Sequence, residues 1–190
     1  MWSFISVYAQ LGFEHITDPD GYDHMLFLLA LVAPYLWFKK KTLLWLVTAF
    51  TLGHCLTLML AVLDIFRMDP DLVETLIPVT IAITAIMNLI GLKYEKVTRP
   101  SIKYIITTCF GLIHGLGFST FFREMSTDNM ELVSALVCFN VGLELGQILI
   151  LAGIIGVSYV LHLIFKLKPH IFSVVYSSMA LVLALHLLMS

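Results

Sequence analysis

The sequence predicts an all-α membrane protein, a polytopic helical bundle. Three observations carry this. Of the 190 residues, 59% are hydrophobic and only 13% are charged, with mean hydropathy +0.95. Soluble domains are about a quarter charged and about half apolar, so too few polar residues remain here to coat a water-soluble globule. The charges divide the chain into six apolar runs, at about 22–38, 42–63, 72–92, 102–122, 132–163 and 170–189. Each approaches or exceeds the ~20 residues that a bilayer-spanning helix needs. The basic residues, finally, gather on one side of those runs. The expected architecture is a single integral membrane domain over residues 1–190, with about six transmembrane helices and a short N-terminal interfacial helix.

The opening "MWSFISVYAQLGFEHI" has no basic n-region and no small-residue cleavage site, so it does not read as a signal peptide. Its apolar residues Phe4, Val7, Tyr8 and Leu11 recur at helical spacing, which fits a helix at the interface or packed on the bundle. Asp18-Pro19-Asp20-Gly21 is a turn. Asp23-His24 opens the first run, and Lys39, Lys40 and Lys41 close it. Lys93, Lys96, Arg99 and Lys103 separate the third and fourth runs, and Lys166 and Lys168 the fifth and sixth. The positive-inside rule makes that side cytoplasmic, with both termini outside. Arg67 and Arg123 fall on the other side, with most of the acids. Net charge is −2, which offers nothing to a nucleic acid. Cys55, Cys109 and Cys138 lie in apolar runs without CxxC spacing and read as buried small hydrophobes. "TLIPVTIAITAIMNLI" reads as packing.

Ionisable groups inside a membrane helix are costly and mark function. His54 lies in the second run, His114 in the fourth, and Asn140, Glu144 and Gln147 in the fifth. At about 1.5 Å per residue, His54 lies roughly 18 Å from the inner end of its run and His114 roughly 20 Å. Asn140 and Glu144 then lie roughly 14 and 20 Å below the outer end of the fifth run. All four belong to the middle and outer half of the membrane, beneath Asp23 and His24. Asn140, Glu144 and Gln147 share one helix face, and Gly142 and Gly146 form a small-xxx-small pair for close helix approach. Phe50-x-x-x-His54 is echoed by Phe110-x-x-x-His114, about 60 residues on.

An ionised Glu144 in lipid needs a cation or a strong donor beside it. His, Asp and Glu suit zinc, nickel or copper. The candidate metal ligands are therefore Asp23, His24, His54, His114 and Glu144, with Asn140 and Gln147 orienting them and His15 capturing a cation at the outer lip. The other reading of these residues is a structural network of interhelical hydrogen bonds.

"GFEHITDPDGYDHMLFLLAL", "FTLGHCLTL", "FGLIHGLGFS" and "FNVGLELGQ", in this order, resemble the successive signatures of the HupE/UreJ family of bacterial membrane proteins. The matching positions are His15, Asp23, His24, His54, His114, Asn140 and Glu144. The resemblance implies a multi-pass protein of the bacterial inner membrane that carries nickel or cobalt for hydrogenase and urease maturation. Two mechanisms follow. In the first, the outer residues capture a divalent cation and the deeper ones pass it inward. In the second, the same histidines hold a catalytic zinc in an intramembrane hydrolase, with Glu144 or Asp23 as general base. No HExxH motif supports the second. Partners are the lipid bilayer and the metal ion, and a homo-oligomer is compatible with the sequence.

Overall fold

The computed structural model describes residues 2–36, 40–94, 100–119, 122 and 129–189. Among them are seven helices and no strand. They are α1 (Trp2–Thr17), α2 (Asp23–Val32), α3 (Lys40–Val62), α4 (Pro70–Tyr94), α5 (Pro100–Gly117), α6 (Asn129–Phe165) and α7 (Pro169–Leu187). Each of the six apolar runs carries one helix. Of the charges used for orientation, Lys39, Lys96, Arg99, Arg123, Glu124 and Asp128 lie outside the described residues.

Local chemistry explains the boundaries. Proline begins α4, α5 and α7, where its missing N–H costs nothing and its fixed φ suits the first turn. The first run ends early, at Val32, and continues as turns to residue 36. Pro34 has no N–H to donate to the ladder, so the helix ends here although Ala33 keeps helical φ and ψ. Asp64 ends α3 at φ 62°, while the Ile65 N–H reaches back to the Leu60 carbonyl at 2.9 Å. That bond satisfies a carbonyl which the helix end would otherwise orphan.

Four helical stretches are long and apolar enough to cross a membrane: Lys41–Val62, Pro70–Gly91, Leu132–Phe165 and Pro169–Leu187. Asp23–Val32 and Ile102–Gly117 are shorter apolar helices. The outer surface is hydrophobic, with Trp45 66% and Leu52 65% exposed. A surface of this kind suits lipid, and the molecule is a helical membrane bundle. Cys109 lies on the exposed surface, and Cys55 and Cys138 are half-buried, so none is the buried hydrophobe expected. A thiol is apolar enough to face lipid at no cost.

The tightest packing joins helices that are not consecutive. α3 lies along α5 in the same direction. A Cβ on Gly111 would strike the Phe50 carbonyl, and one on Gly115 the His54 carbonyl. A Cβ on Gly53 would strike the Thr108 carbonyl. Thr57 Oγ1 also donates to the Leu112 carbonyl at 2.7 Å. The echoed Phe-x-x-x-His segments are thus pressed side by side. α1 packs on α6 in a similar way. Gly12 faces the Phe139 carbonyl, Gly142 the Ala9 carbonyl, and Gly146 Ile16 and Phe13. Of its two expected places, the N-terminal helix takes the bundle, using the small-xxx-small pair of α6.

α2 packs against α4, α6 and α7. Asn88 Nδ2 ties it in, donating to the Ala30 carbonyl at 2.7 Å and to Ser177 Oγ at 3.3 Å. One core cluster centres on Phe27, Leu46, Phe50 and Ile81, and a second on Ile16, Leu58, Phe122, Phe139 and Leu143.

Replacing Gly115 or Gly142 by leucine should destabilise the protein by about 1–3 kcal/mol or more, because backbone blocks the added atoms. Gly153 has open space around it, so Gly153→Ala should be neutral or stabilising by up to ~1 kcal/mol. Thermal unfolding of the detergent-solubilised protein measures both.

Candidate metal centre

Four helices deliver four imidazoles to one level. His15 is in the last turn of α1, and the α1–α6 glycine contacts hold it beside Phe139. His24 follows Asp23 in the first turn of α2. Before it, Asp18 Oδ1 accepts the Asp20 N–H at 2.9 Å and closes the turn that starts this helix. His54 and His114 come from α3 and α5, brought to one height by Gly111 and Gly115.

The rings lie close together. Centroids are 4.8 Å apart for His15–His24, 6.0 Å for His15–His54, 6.1 Å for His24–His54 and 5.1 Å for His24–His114. Two groups can each offer ligand atoms within 4.8 Å of one another: His15, His24 and His54; and Asp23, His24 and His114. Ligand atoms on one ion, at bonds of about 2.1 Å, are separated by roughly 3–4 Å. Small side-chain rotations therefore close either group on a cation. His24 belongs to both, so it and His54 can share one ion.

Burial makes these imidazoles expensive. His54 is 0%, His114 1% and His24 5% exposed. Phe27, Phe50, Phe118 and Phe139 surround the rings and offer no lone pair or strong donor. Two nitrogens have partners. His24 Nδ1 lies 3.1 Å from Asp23 Oδ1, and His114 Nε2 lies 3.1 Å from Thr80 Oγ1. His15 Nε2, His24 Nε2, His114 Nδ1 and both nitrogens of His54 are buried without any hydrogen bond among the described residues. Each such group costs about 1–3 kcal/mol. A structural network would not leave five nitrogens unmatched at its centre. A cation would satisfy them together, and imidazole nitrogen is a good donor to nickel, cobalt and zinc. The Asp23–His24 contact is the carboxylate–histidine arrangement that turns the far nitrogen toward a metal.

A cavity of about 570 Å³ opens beside His15, lined also by Glu14, Thr17, Asp18 and Phe118. His15 thus touches both this mouth and the buried group.

The family model for HupE / UreJ protein matches residues 1–190, the whole chain. The chain belongs to the HupE/UreJ family. No curated protein and no solved structure matches it.

Other residues of this HupE/UreJ protein lie beside the cluster. Thr48 Oγ1 donates to Glu144 Oε1 at 2.7 Å, and Glu144 is outside both three-residue groups. Thr51 Oγ1 donates to Gln147 Oε1 at 2.8 Å, leaving Gln147 Nε2 buried without a partner. These pairs form a polar seam between α3 and α6, about one to two turns from His54 toward the N-terminal end of α3. Asn140 Nδ2 donates to the Leu136 carbonyl at 2.7 Å, and its Oδ1 is buried without a partner. Thr80 was not among the residues the sequence singled out, and its stretch is more than packing. Its signal was the stripe Thr80, Thr84, Asn88, spaced four residues apart on one face of α4.

Since the His54 ring forms no hydrogen bond among the described residues, His54→Leu should leave the metal-free protein as stable as wild type or more stable, by up to about 1–3 kcal/mol. A structural hydrogen-bonding histidine would instead destabilise on this change. Thermal unfolding in a chelator, alongside metal-binding isotherms, reads both consequences.

Proposed function

We propose that this protein carries a divalent transition-metal cation across the bacterial inner membrane through the His15–His24–His54–His114 cluster. The observation that supports it most is His54, wholly buried with both ring nitrogens unpartnered among three other imidazoles. Nickel, cobalt and zinc suit these donors, and the HupE/UreJ resemblance favours nickel or cobalt.

Glu14 and Asp18 at the mouth attract the hydrated cation. His15 takes it from the mouth to His24 and His54, where imidazoles replace its water. Asp23 holds His24 with Nε2 turned to the ion, and His114 is the next donor. Thr48, Glu144, Thr51 and Gln147 are the polar groups on the inward side. They supply a step toward the cytoplasm. In this reading all six apolar helices span the membrane, with both termini outside.

A hydrolase using the same histidines is less well supported. Of its two candidate bases, Asp23 is engaged by His24 and Glu144 by Thr48.

The test is uptake of nickel, cobalt and zinc into sealed proteoliposomes. Wild type should show metal-dependent flux, and His54→Ala should lose it. Tight stoichiometric binding without flux would sink the transport reading. Histidine must be neutral to ligate, so binding releases protons. Lowering the external pH from about 7.5 to about 5 should therefore slow uptake and weaken binding.

A further inference from the structure

We propose that Thr80 is a positioning residue that holds His114 in its Nε2–H tautomer and so presents Nδ1 as the donor to the cation. The inference rests on the metal site proposed above and adds to it which nitrogen of His114 binds, and why.

The argument begins with two oxygens. Thr80 Oγ1 lies 2.7 Å from the Ile77 carbonyl oxygen. Two oxygens at that distance need a hydrogen between them. A carbonyl has none, so the single hydroxyl hydrogen of Thr80 points at Ile77. What Thr80 has left for its other neighbour is a lone pair. His114 Nε2, 3.1 Å away, must then be the donor. A neutral imidazole carries one N–H, so Nδ1 of His114 bears the lone pair.

The opposite tautomer is worse on both sides. It would need the Thr80 hydrogen for Nε2 and set two bare oxygens against each other. It would also leave an Nδ1–H donor buried beside Phe27 and Phe50 with no acceptor, His24 Nε2 included, within hydrogen-bond reach among the described residues. Thr80 is itself 2% exposed, so no solvent competes for its hydrogen.

The same logic, mirrored, applies across the site. His24 donates from Nδ1 to Asp23, which leaves its lone pair on Nε2. Both bare nitrogens, His24 Nε2 and His114 Nδ1, are buried without a partner. Two lone pairs cannot bond each other. One cation bound by both residues would satisfy both, and ligand atoms of His24 and His114 lie within 4.8 Å of each other. One imidazole is therefore oriented by a carboxylate and the other by a hydroxyl, through opposite ring atoms.

The experiment has two arms. Side-chain ¹⁵N NMR of histidine-labelled, metal-free protein in lipid nanodiscs, with His114→Gln to assign the signal, should show His114 protonated on Nε2 and bare on Nδ1. A protonated Nδ1 would overturn the proposal from wild type alone, whether or not any variant folds. The second arm titrates Co(II) into wild type, Thr80→Val and Thr80→Ser. Loss of an orienting partner typically weakens metal binding by about 10–100-fold. Thr80→Val should show that loss and altered Co(II) ligand-field bands, while Thr80→Ser, which keeps the hydroxyl, should stay within a few-fold of wild type. Equal affinity for Thr80→Val and wild type would overturn the role of Thr80 and leave the metal site standing. Wild type that binds no Co(II) would overturn the metal site itself, whichever tautomer is read.

Discussion

Backbone contact at glycine is the constraint on which the rest of this structure depends. In lipid, apolar side chains gain little by leaving a medium as apolar as themselves, so helices associate through close packing and hydrogen bonds. Here that packing is concentrated on a few positions. Gly111 and Gly115 let α5 lie directly on the α3 backbone, and Gly12 and Gly142 do the same for α1 on α6. Each contact fixes the height of a histidine. His54 and His114 are level because their helices run the same way and touch at those glycines. His15 reaches them because α1 is pressed against α6 and not left at the interface.

The cluster so formed is held together against its own chemistry. Aromatic rings exclude water from the imidazoles, and most of the ring nitrogens find no partner among the described residues. Packing elsewhere supplies the free energy that keeps them there. Such unmatched groups are what a binding site looks like when its ligand belongs to its design, whereas a purely structural network would have settled into mutual hydrogen bonds. The aromatic shell has a second consequence. In the proposed transport, a low-dielectric wall would strengthen the attraction between cation and donor and would make leaving slow unless further polar groups lie ahead. In that proposal the Thr48–Glu144 and Thr51–Gln147 pairs are the groups that lie ahead.

Hydroxyl groups carry more of this site than their chemistry suggests. Thr57 bridges α3 to the α5 backbone, Thr80 touches His114, and Thr48 and Thr51 engage Glu144 and Gln147. Threonine is apolar enough to sit in lipid yet offers a donor and an acceptor. It orients stronger groups without bringing a charge of its own into the membrane.

Composition and the spacing of charges were sufficient for the class of molecule and for its six apolar helices, because a bilayer demands long apolar runs and tolerates few exceptions. The same rule exposed His54, His114 and Glu144, since an ionisable residue in such a run stands out. Helical rise placed the two histidines at one height, and the Gly142–Gly146 spacing announced a close contact without naming the partner. Which helices touch was not legible. The pairing of α3 with α5, and of α1 with α6, joins residues far apart in the chain, and no local pattern encodes it. Tertiary structure alone therefore brought His15 into the buried group, set Glu144 against Thr48, and turned Thr80 toward His114. Depth follows from counting residues along one helix. Direction around the helix axis, which decides what a side chain meets, follows only from how the helices pack.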